Sequence, residues 1–589
     1  MKNSYFELLK QWCDELLKLQ VHGTGFKELD GAIICPACQI IHGRCHDLIY
    51  PLMYLADNTG EEKYIKAAHE LFDWAESLVT EDGGLYNDAQ SPWQGITVFS
   101  ANELCMALKY HGHLLSAEEK SRWDERLRGY SEWLYNTLLP EYNAVINYDT
   151  NCAGAMALLG DYFGDARYLE RAKFMADFCM DYITENGLLM GEGKPLNFVT
   201  PRGCVPVDIG YNVEESMAGL LRCALILKDE NLKQTVVRMM RAHLEFMLPD
   251  GGWDNSFGTR NFKWTYWGSR TSDGCQSAYA ILGSEYPEFS EAAFRNLEMY
   301  KKCSHGGLMY GGMHYKARGE KACTHHSFCH AGALTMALEA GIADIERTAI
   351  PADNAPPVKY YKEIDTYKLA AGGWRATVTG YDFEYMEGGH ASGGVMTMLW
   401  NEKVGPVIAT GMTDYAMKEP TNQQMSLKKS SVACTAARVD LNVDGVLYSQ
   451  MYDYGSDISA RTENGGAVVD VACTPVDIMH NMPARRAAVQ LRYELQPQGA
   501  ALMGWVSPSG ADSAFVLPMV LADDEAYELT DANTVILRRA GASVRISHSG
   551  LISEPRRIFN FSGGFSALEL RIKPDKDGNF GAVVSLVEG

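Results

Sequence analysis

The sequence is poor in basic residues and lacks long apolar runs. Its 589 residues include 53 Lys and Arg against 75 Asp and Glu, a formal net charge of -22. Because binding to a phosphate backbone needs a basic face, this balance argues against nucleic acid as a partner. A few local Arg residues can still bind the carboxylate of a small substrate. No stretch approaches the roughly 20 apolar residues of a membrane span, so we expect no membrane partner.

Several short motifs are also missing. The N-terminus, MKNSYFELLKQWCDELLKLQ, has no apolar run followed by a small-residue cleavage site, which predicts no secretory signal. The 15 cysteines are odd in number and scattered, as in a reducing compartment, so we expect a cytoplasmic protein. No glycine-rich phosphate loop or dinucleotide fingerprint is present, and we expect no nucleotide cofactor.

What is present divides into two halves. Up to about Gly341, apolar residues recur at helical spacing, and beyond about Thr366 they alternate between Gly, Asp and Asn turns. The proline-rich stretch IPADNAPPVKYYK separates the two patterns. We therefore predict an α+β multidomain protein with a helical domain at 1–345, a linker at 346–365 and an antiparallel β-sandwich at 366–589.

The helical half repeats one glycine turn after successive helices, at Gly83, Gly187, Gly251 and Gly306. Repeated helical hairpins bury their apolar faces against neighbours, and about six hairpins fit a closed (α/α) toroid. An open solenoid is the alternative, although its period is usually more constant.

In a closed toroid the loops that lead into the inner helices converge at one end. They read HGRCHD, SPWQGIT, NYDTNC, PVDIGYNVEES, KWTYWGSRTSDG and CTHHSFCH. A pocket of aromatic, amide and charged groups is typical of a carbohydrate site, because aromatic faces pack on sugar rings and polar groups bind hydroxyls.

This architecture resembles the heparinase II/III-like and alginate-lyase group of polysaccharide lyases, and also the β-glucuronidases of glycoside hydrolase family 154. In those lyases an inner helix begins with an Asn that neutralises the uronate carboxylate, followed by a His that takes part in proton abstraction. The comparable stretch here has Asn212, but Val213, Glu214 and Glu215 follow it and no His is present. This departure favours hydrolysis by carboxylates over β-elimination.

Glycoside hydrolysis needs one protonated and one ionised carboxyl group. The candidates are Glu215 or Glu214, paired with Asp273 or Asp208. Adjacent residues point about 100° apart on a helix, so only one of the two glutamates should face the pocket, and we favour Glu215. The alternative interpretation is that acidic residues in a first helical turn only cap the helix.

Other polar groups complete the predicted site. Arg44 and Arg270 are expected to hold a carboxylate, and Trp93, Tyr266 and Trp267 to form the sugar walls. Beside Glu387, a histidine in a glycine-rich sandwich loop could reach over the toroid mouth. The remaining candidates are His326 and His390 for acid/base work, and His42, Asp149, Asn212 and His325 for substrate binding.

Two Cys/His clusters, CPACQIIHGRCH and CTHHSFCH, would be neighbours in a closed toroid. Cysteine and histidine suit zinc, but the spacing matches no standard zinc module, and a redox motif would need a βαβ context. We favour plain packing and no cofactor, with structural zinc as an alternative.

The predicted function is therefore a glycoside hydrolase that releases terminal glucuronic acid from uronate-containing oligosaccharides. One alternative is a lyase with Asn212 as neutraliser and Tyr266, His326 or His390 as base; another is a non-catalytic carbohydrate-binding protein. A large sandwich face often supports a homo-oligomer, which we also expect.

Overall fold

The computed structural model describes residues 1–89, 91–342, 346–386, 388–414, 433–509 and 512–587. Its N-terminal half consists of helices whose apolar residues recur every three or four positions. None of the described helices is long and apolar enough to cross a membrane. The helices are α1 (Lys2–Leu17), α2 (Ile49–Thr59), α3 (Glu62–Ala75), α4 (Thr97–His111), α5 (Ala117–Thr137), α6 (Ile146–Phe163), α7 (Ala166–Met180), α8 (Ile209–Tyr211), α9 (Met217–Leu227), α10 (Glu230–Leu244), α11 (Pro287–Lys302) and α12 (Thr324–Glu339).

The helices form an inner and an outer ring. The inner helices α2, α4, α6, α9 and α12 are buried along most of their length, whereas α3, α5, α7 and α10 bury one face only. Along the inner ring α2 packs on α4, α4 on α6 and α6 on α9, and α12 packs on both α1 and α2, which closes the ring. Short turns around Cys275–Ser277, rather than a long helix, contact α12 at the remaining inner position.

The glycine turns between hairpins have the conformation that the sequence predicts. Gly251, for example, has a φ of 90°, and a Cβ there would lie 2.2 Å from the carbonyl oxygen of Arg295. Only glycine fits such a left-handed, close-packed position without strain. Within the helical half, two small hairpins are formed by β1 (Trp264–Thr265) with β2 (Gly268–Ser269) and by β3 (Ser304–His305) with β4 (Leu308–Met309).

The described residues of the C-terminal half form three antiparallel sheets. The first joins β5 (Val358–Tyr361), β6 (Thr366–Ala371), β7 (Trp374–Thr379), β8 (Val395–Asn401) and β9 (Gly405–Ala409) in that order. The other strands are β10 (Arg438–Val443), β11 (Val446–Ser449), β12 (Asp457–Glu463), β13 (Gly466–Cys473), β14 (Ala488–Gln496), β15 (Gly499–Ser507), β16 (Ser513–Val520), β17 (Ala526–Asp531), β18 (Thr534–Arg538), β19 (Ser543–His548), β20 (Arg556–Asn560), β21 (Phe565–Ile572) and β22 (Asn579–Val587). They pair as β11-β10-β16-β21-β20 and as β12-β13-β14-β15-β22-β19-β18-β17.

The alternating apolar residues of these strands share one core, in which Leu517, Val469 and Val584 are fully buried. The α+β multidomain class, a helical toroid followed by antiparallel sheets, is thus confirmed. The range 346–365, expected to be a linker, already contains β5, the first strand of the C-terminal half.

The sheets pack directly on the toroid through buried polar pairs. The Lys368 ammonium group lies 2.9 Å from the fully buried carboxylate of Asp254. Arg202 donates hydrogen bonds to the Asp365 carboxylate and to the carbonyl oxygen of Ser456. These contacts hold the loops of the β half against the end of the toroid where the inner helices begin.

Candidate active site

A cavity of about 540 Å³ opens at that end of the toroid. This volume falls within the usual range for small-molecule and sugar pockets. The side chains come from the loops before α2, α4, α6 and α8, from the first turns of α4, α6 and α12, from α8 and the turn after it, from the segment 260–271 and from the β half. They are Arg44, Asn87, Asp88, Ser91, Trp93, Ile96, Phe99, Asn143, Val145, Asn147, Tyr148, Lys194, Tyr211, Glu215, Arg260, Lys263, Thr271, His325 and Tyr385.

Basic side chains outnumber acidic ones in this lining. The cations are Arg44, Lys194, Arg260 and Lys263, whereas Asp88 and Glu215 are the acidic residues. The Lys194 ammonium group donates to the amide oxygen of Asn143 at 3.2 Å, an uncharged partner. Two of these cations are ion-paired behind the lining, Arg44 with Asp47 and Asp273, and Arg260 with Glu192 at 3.2 Å. The excess of basic over acidic side chains in the lining itself suits an anionic ligand.

Tyr211 lies in the cavity wall because Asp208 starts its short helix. The Asp208 carboxylate accepts hydrogen bonds from the backbone N–H groups of Tyr211 at 3.0 Å and Arg260 at 2.7 Å. The Tyr211 hydroxyl lies 2.5 Å from the hydroxyl of Thr271. The Arg260 guanidinium stacks 3.8 Å from the centre of the Tyr211 ring, so a positive charge lies beside this phenol.

A π-helical turn at Asn212–Ser216 directs Glu215 toward the cavity. Such turns insert one residue into a helix and are frequent at functional sites. The Glu215 carboxyl accepts a hydrogen bond from Nδ2 of Asn147 at 2.7 Å. Burial, reinforced by the nearby Asp273 carboxylate, raises the pKa of Glu215 to about 8, so the group is protonated at neutral pH.

Arg44 is held by two carboxylates and a ring. Its guanidinium lies 2.7 Å from the Asp47 carboxylate and 2.6 Å from that of Asp273. It also stacks 4.1 Å from the centre of the Phe99 ring. Burial raises the pKa of Asp47 to about 6 even though Arg44 opposes the shift. These contacts fix the orientation of Arg44 before any ligand arrives.

Trp93 and Tyr148 form the aromatic wall of the cavity. The indole N–H of Trp93 donates to the Tyr148 hydroxyl at 3.2 Å, and the ring centres are 5.6 Å apart. Tyr142 packs behind Trp93 at 5.4 Å. Tyr385 reaches the cavity from the loop between β7 and β8.

Four predicted site residues line the cavity: Arg44, Trp93, Glu215 and His325. Burial, together with the neighbouring charges of His42 and Arg44, lowers the pKa of His325 well below its ordinary value. Asp273 lies directly behind the cavity, where it binds Arg44.

The other predicted carboxylates are structural. Glu214 accepts hydrogen bonds from the Ser269 N–H and the Ser272 hydroxyl in the fully buried interior. Asp208 caps the helix of Tyr211, as the capping interpretation has it. Asp149 accepts from the backbone N–H of Glu141 outside the cavity, and burial raises its pKa to about 8.

The predicted sugar wall of Tyr266 and Trp267 is instead interior packing. The Tyr266 hydroxyl bonds to the Asp250 carboxylate, and the Trp267 indole donates to the carbonyl oxygen of Tyr310 at 2.8 Å. Arg270 turns toward the β half, where it donates to the Phe561 carbonyl oxygen rather than facing a ligand carboxylate. Asn212 donates to the Leu189 carbonyl oxygen at 2.8 Å, also outside the cavity.

The remaining histidines are buried among backbone and thiol groups. His326 lies 3.2 Å from the Arg270 carbonyl oxygen and His390 lies 2.9 Å from that of Tyr381. Neither lines the cavity, and the β half reaches it through Tyr385 instead. Glu387 lies outside the described residues. His42 belongs to a cluster with Cys35, Cys38 and Cys323 whose ligand atoms lie within 4.8 Å of one another.

Sequence reasoning passed over several cavity residues that stand in the motifs it quoted. Asn147 opens NYDTNC and Tyr211 stands in DIGYNVEES, one residue before the chosen Asn212. Lys263 opens KWTYWGSRTSDG, and Arg260 lies three residues before that motif. A helix start offers two or three adjacent polar residues, and pattern alone does not say which of them faces inward.

Comparisons with known proteins agree on the family. The sequence profile of the ulvan lyase N-terminal domain matches residues 9–353, and that of the ulvan lyase C-terminal domain matches residues 358–586. The chain is 35% identical, over 97% of its length and 92% of the relative's, to a broad-specificity ulvan lyase of Formosa agariphila.

Solved structures show the same fold at low identity. The chondroitin AC lyase of Streptomyces coelicolor A3 superposes with a TM-score of 0.53 at 11% identity, covering 100% of this chain and 80% of the lyase. A heparinase III superposes with a TM-score of 0.51 at 11% identity, covering 98% and 84% of the two chains.

These findings correct the predicted activity. The resemblance to toroidal polysaccharide lyases is confirmed, whereas the comparisons do not support glycoside hydrolase family 154. The prediction of a glycosidase, and of a glucuronidase in particular, is wrong, and the alternative of a polysaccharide lyase replaces it. The absence of a histidine after Asn212 favoured the wrong activity, because Asn212 does not line this cavity.

Proposed function

Because the chain belongs to the ulvan lyase family, we propose that it cleaves ulvan, or a closely similar uronate-containing polysaccharide, by β-elimination in this cavity. The observation that carries the proposal is the pairing of Tyr211 with Arg260 inside a lining rich in cations. A uronate polymer supplies the matching negative charge. The aromatic pair Trp93 and Tyr148 suits the faces of its sugar rings.

β-Elimination removes the proton on C5 of the uronate, next to the carboxylate, and expels the oxygen substituent at C4. A double bond forms between C4 and C5, the leaving oxygen takes up a proton, and no water is consumed. The C5 proton is only weakly acidic while the carboxylate keeps its full charge. The site must therefore neutralise the carboxylate and offer a base on the C5 side.

We assign Tyr211 as the base. The adjacent Arg260 guanidinium stabilises the phenolate form that can accept the proton. The Thr271 hydroxyl, 2.5 Å away, holds the phenol oxygen in place. Tyr211 also suits the return of a proton to the leaving oxygen, because the phenol carries it after the first step.

We assign Asn147 as the principal neutralising group, with Lys263 and Arg44 nearby in the lining. Asn147 begins an inner helix, as does the neutralising Asn of the resembling lyases. Its Oδ1 has no hydrogen-bond partner among the described residues, while Nδ2 points at Glu215. The two ends of an amide are assigned from such contacts, and a protonated Glu215 pairs better with Oδ1. Turning the amide over would pair the Glu215 proton with Oδ1 and free Nδ2 to donate to the substrate carboxylate.

The decisive experiment follows ulvan degradation by near-ultraviolet absorbance and product mass. We expect new absorbance from the C4–C5 double bond and fragments whose summed mass contains no added water. The Tyr211→Phe variant keeps the ring under Arg260 but removes the proton-accepting oxygen. We expect its kcat to fall by about 10²–10⁴-fold with KM nearly unchanged.

Tyr142→Phe is the matched control, because Tyr142 packs behind Trp93 and does not line the cavity. We expect it to keep nearly full activity. Saturated products that contain one added water per cleavage would overturn the lyase proposal. A Tyr211→Phe enzyme with wild-type kcat would leave the lyase reaction standing and remove Tyr211 from it.

A further inference from the structure

A compact group of three thiols and one imidazole lies beside the cavity. We propose that Cys35, Cys38, His42 and Cys323 bind one zinc ion, which ties the first loop of the toroid to the start of its last inner helix. The inference concerns a site outside the proposed reaction, so it stands or falls independently of the lyase activity.

The ligand atoms already have the spacing that zinc requires. A tetrahedral ion with Zn–S bonds of about 2.3 Å separates its sulfur ligands by about 3.8 Å. The Cys38 and Cys323 sulfurs are 3.6 Å apart, and Nε2 of His42 lies 3.6 Å from the Cys323 sulfur. All four ligand atoms lie within 4.8 Å of one another. Because a disulfide needs sulfurs about 2.05 Å apart, the same distances exclude an S–S bond in this structure.

The loop that supplies the Cys35 and Cys38 thiols forms a tight turn. The Cys35 N–H donates to the Ile40 carbonyl oxygen, and the Gln39 N–H donates to that of Cys35, both at 2.9 Å. Gln39 has a φ of 58°, a left-handed conformation that a side chain adopts only when its surroundings impose it. The Cys38 N–H donates to the Cys35 sulfur at 3.3 Å, a contact that would stabilise a thiolate ligand.

The donor set selects the metal. Thiolate and imidazole are soft or borderline ligands that favour zinc, whereas calcium and magnesium take oxygen ligands. Four protein donors fill a tetrahedral shell and leave no open position, as in structural rather than catalytic zinc sites. Cys35, His42 and Cys323 are buried, and the partly exposed Cys38 gives the ion a route from solvent.

The position of the cluster explains what the ion would do. Cys323 is the residue immediately before α12, and His42 precedes the turn that carries Arg44. The two are separated by 281 residues in the chain. A link across so long a loop restricts the unfolded chain strongly, and it closes the ring where α12 meets α1 and α2. It would also fix Arg44 and His325, which lie two residues from the zinc ligands His42 and Cys323.

Metal content of the purified full chain tests the proposal. We expect about one zinc per chain by elemental mass spectrometry and at least about a tenfold loss of zinc in Cys38→Ser. Cys434→Ser is the matched control, since Cys434 is also partly exposed, lies outside the cluster and places its sulfur 3.7 Å from that of Met451. We expect that variant to keep its zinc. Wild-type protein without zinc after growth in zinc-supplemented medium would overturn the proposal, as would full zinc content in Cys38→Ser.

Cobalt substitution covers the case in which Cys38→Ser fails to fold. Wild-type protein stripped with a chelator and given Co²⁺ should show thiolate charge-transfer bands and the intense visible bands of a tetrahedral site. The Cys38→His variant, which replaces one ligand by another, should keep a tetrahedral cobalt spectrum with weaker charge-transfer bands. A spectrum typical of octahedral cobalt in the wild type would refute the site.

Discussion

Glu215 shows how burial and a neighbouring carboxylate change the role of a residue. At neutral pH its carboxyl is protonated, because burial and the Asp273 carboxylate raise its pKa to about 8. Its hydrogen-bond partner is Asn147, the proposed neutralising group. Glu215 therefore acts as a positioning residue whose proton holds the amide in the productive orientation.

Replacing Glu215 by Gln tests this role through pH. In the wild type, ionisation above about pH 8 would remove the donor to Asn147, so we expect kcat/KM to fall there. Glu215→Gln stays neutral and should lose that alkaline limb while keeping activity near pH 7. Asp88→Asn, which alters another carboxylate of the cavity, serves as control and should keep the wild-type profile.

Stability should follow the same titration. A carboxyl group whose pKa is raised on folding holds its proton longer in the folded state, so its contribution to stability falls as pH rises from about 4.5 through about 8. The midpoint temperature of thermal unfolding of Glu215→Gln should therefore exceed that of the wild type, most clearly above pH 8. Equal midpoints at alkaline pH would contradict the raised pKa.

The residue scale is also where sequence prediction is weakest. Glu214 and Glu215 are neighbours, and the expectation that only one faces the pocket agrees with the structure, in which Glu214 binds Ser269 and Ser272 in the interior. Likewise His325 lines the cavity while His326 contacts the Arg270 carbonyl oxygen. The direction of each side chain depends on the π-helical turn and on the exact start of α12, and neither has a sequence signature.

At the scale of elements, two glycines let the inner helices α6 and α9 approach closely. A Cβ at Gly219 would lie 2.4 Å from the Thr150 carbonyl oxygen, and one at Gly154 would lie 2.6 Å from that of Gly219. This contact places Asn147 on α6 within hydrogen-bond distance of Glu215, just before α9. The helix spacing thus sets the geometry of the proposed neutralising group.

Gly219→Ala should push these helices apart. We expect the free energy of unfolding to fall by about 1–3 kcal/mol from overpacking, together with a clear loss of kcat. Gly129→Ala on α5 is the control, because a Cβ there meets nothing closer than 3.8 Å and alanine favours the helix. Denaturant unfolding and ulvan cleavage of both variants provide the measurements. If the stability and activity of Gly219→Ala were unchanged, the contact between α6 and α9 would be able to relax around the added methyl group.

Elements were the part of the fold that sequence patterns could predict. Helical spacing, the repeated glycine turns and the change to alternating strands at about residue 366 led to a toroid followed by antiparallel sheets. The inner position at Cys275–Ser277 escaped prediction because several short turns replace a helix there. Strand β5 was not predicted, because the prolines before this four-residue strand are typical of a linker.

At the scale of the whole molecule, the net charge of the chain is opposite in sign to the excess charge of the cavity lining. The chain carries a net charge of -22, yet its cavity is lined by four basic and two acidic residues. An anionic polymer is therefore repelled at a distance and attracted at contact. The Debye length shrinks from about 30 Å at 0.01 M salt to about 8 Å at 0.15 M, so salt weakens the distant repulsion before the close attraction.

We therefore expect the KM for ulvan to pass through a minimum as salt rises. Moderate salt should lower KM by screening the acidic surface, and high salt should raise it by screening the cavity cations. Lys194→Gln should raise KM and flatten the high-salt limb, since one cation is gone. Steady-state kinetics across a salt series provides the measurement. A KM that rises steadily from the lowest salt would contradict the opposition of charges.

The expected homo-oligomer stays a prediction that light scattering can test.

Tyr385 comes from the β half, but it lines a cavity whose other walls belong to the toroid. The two domains therefore cannot diverge independently: a change of substrate preference in one half has to be matched in the other. Chimaeras that join the N-terminal domain of this chain to the C-terminal domain of a relative would test this dependence of each domain on the other. Their preference among polymers should follow neither parent alone, and the position of Tyr385 should be the first place where the mismatch shows.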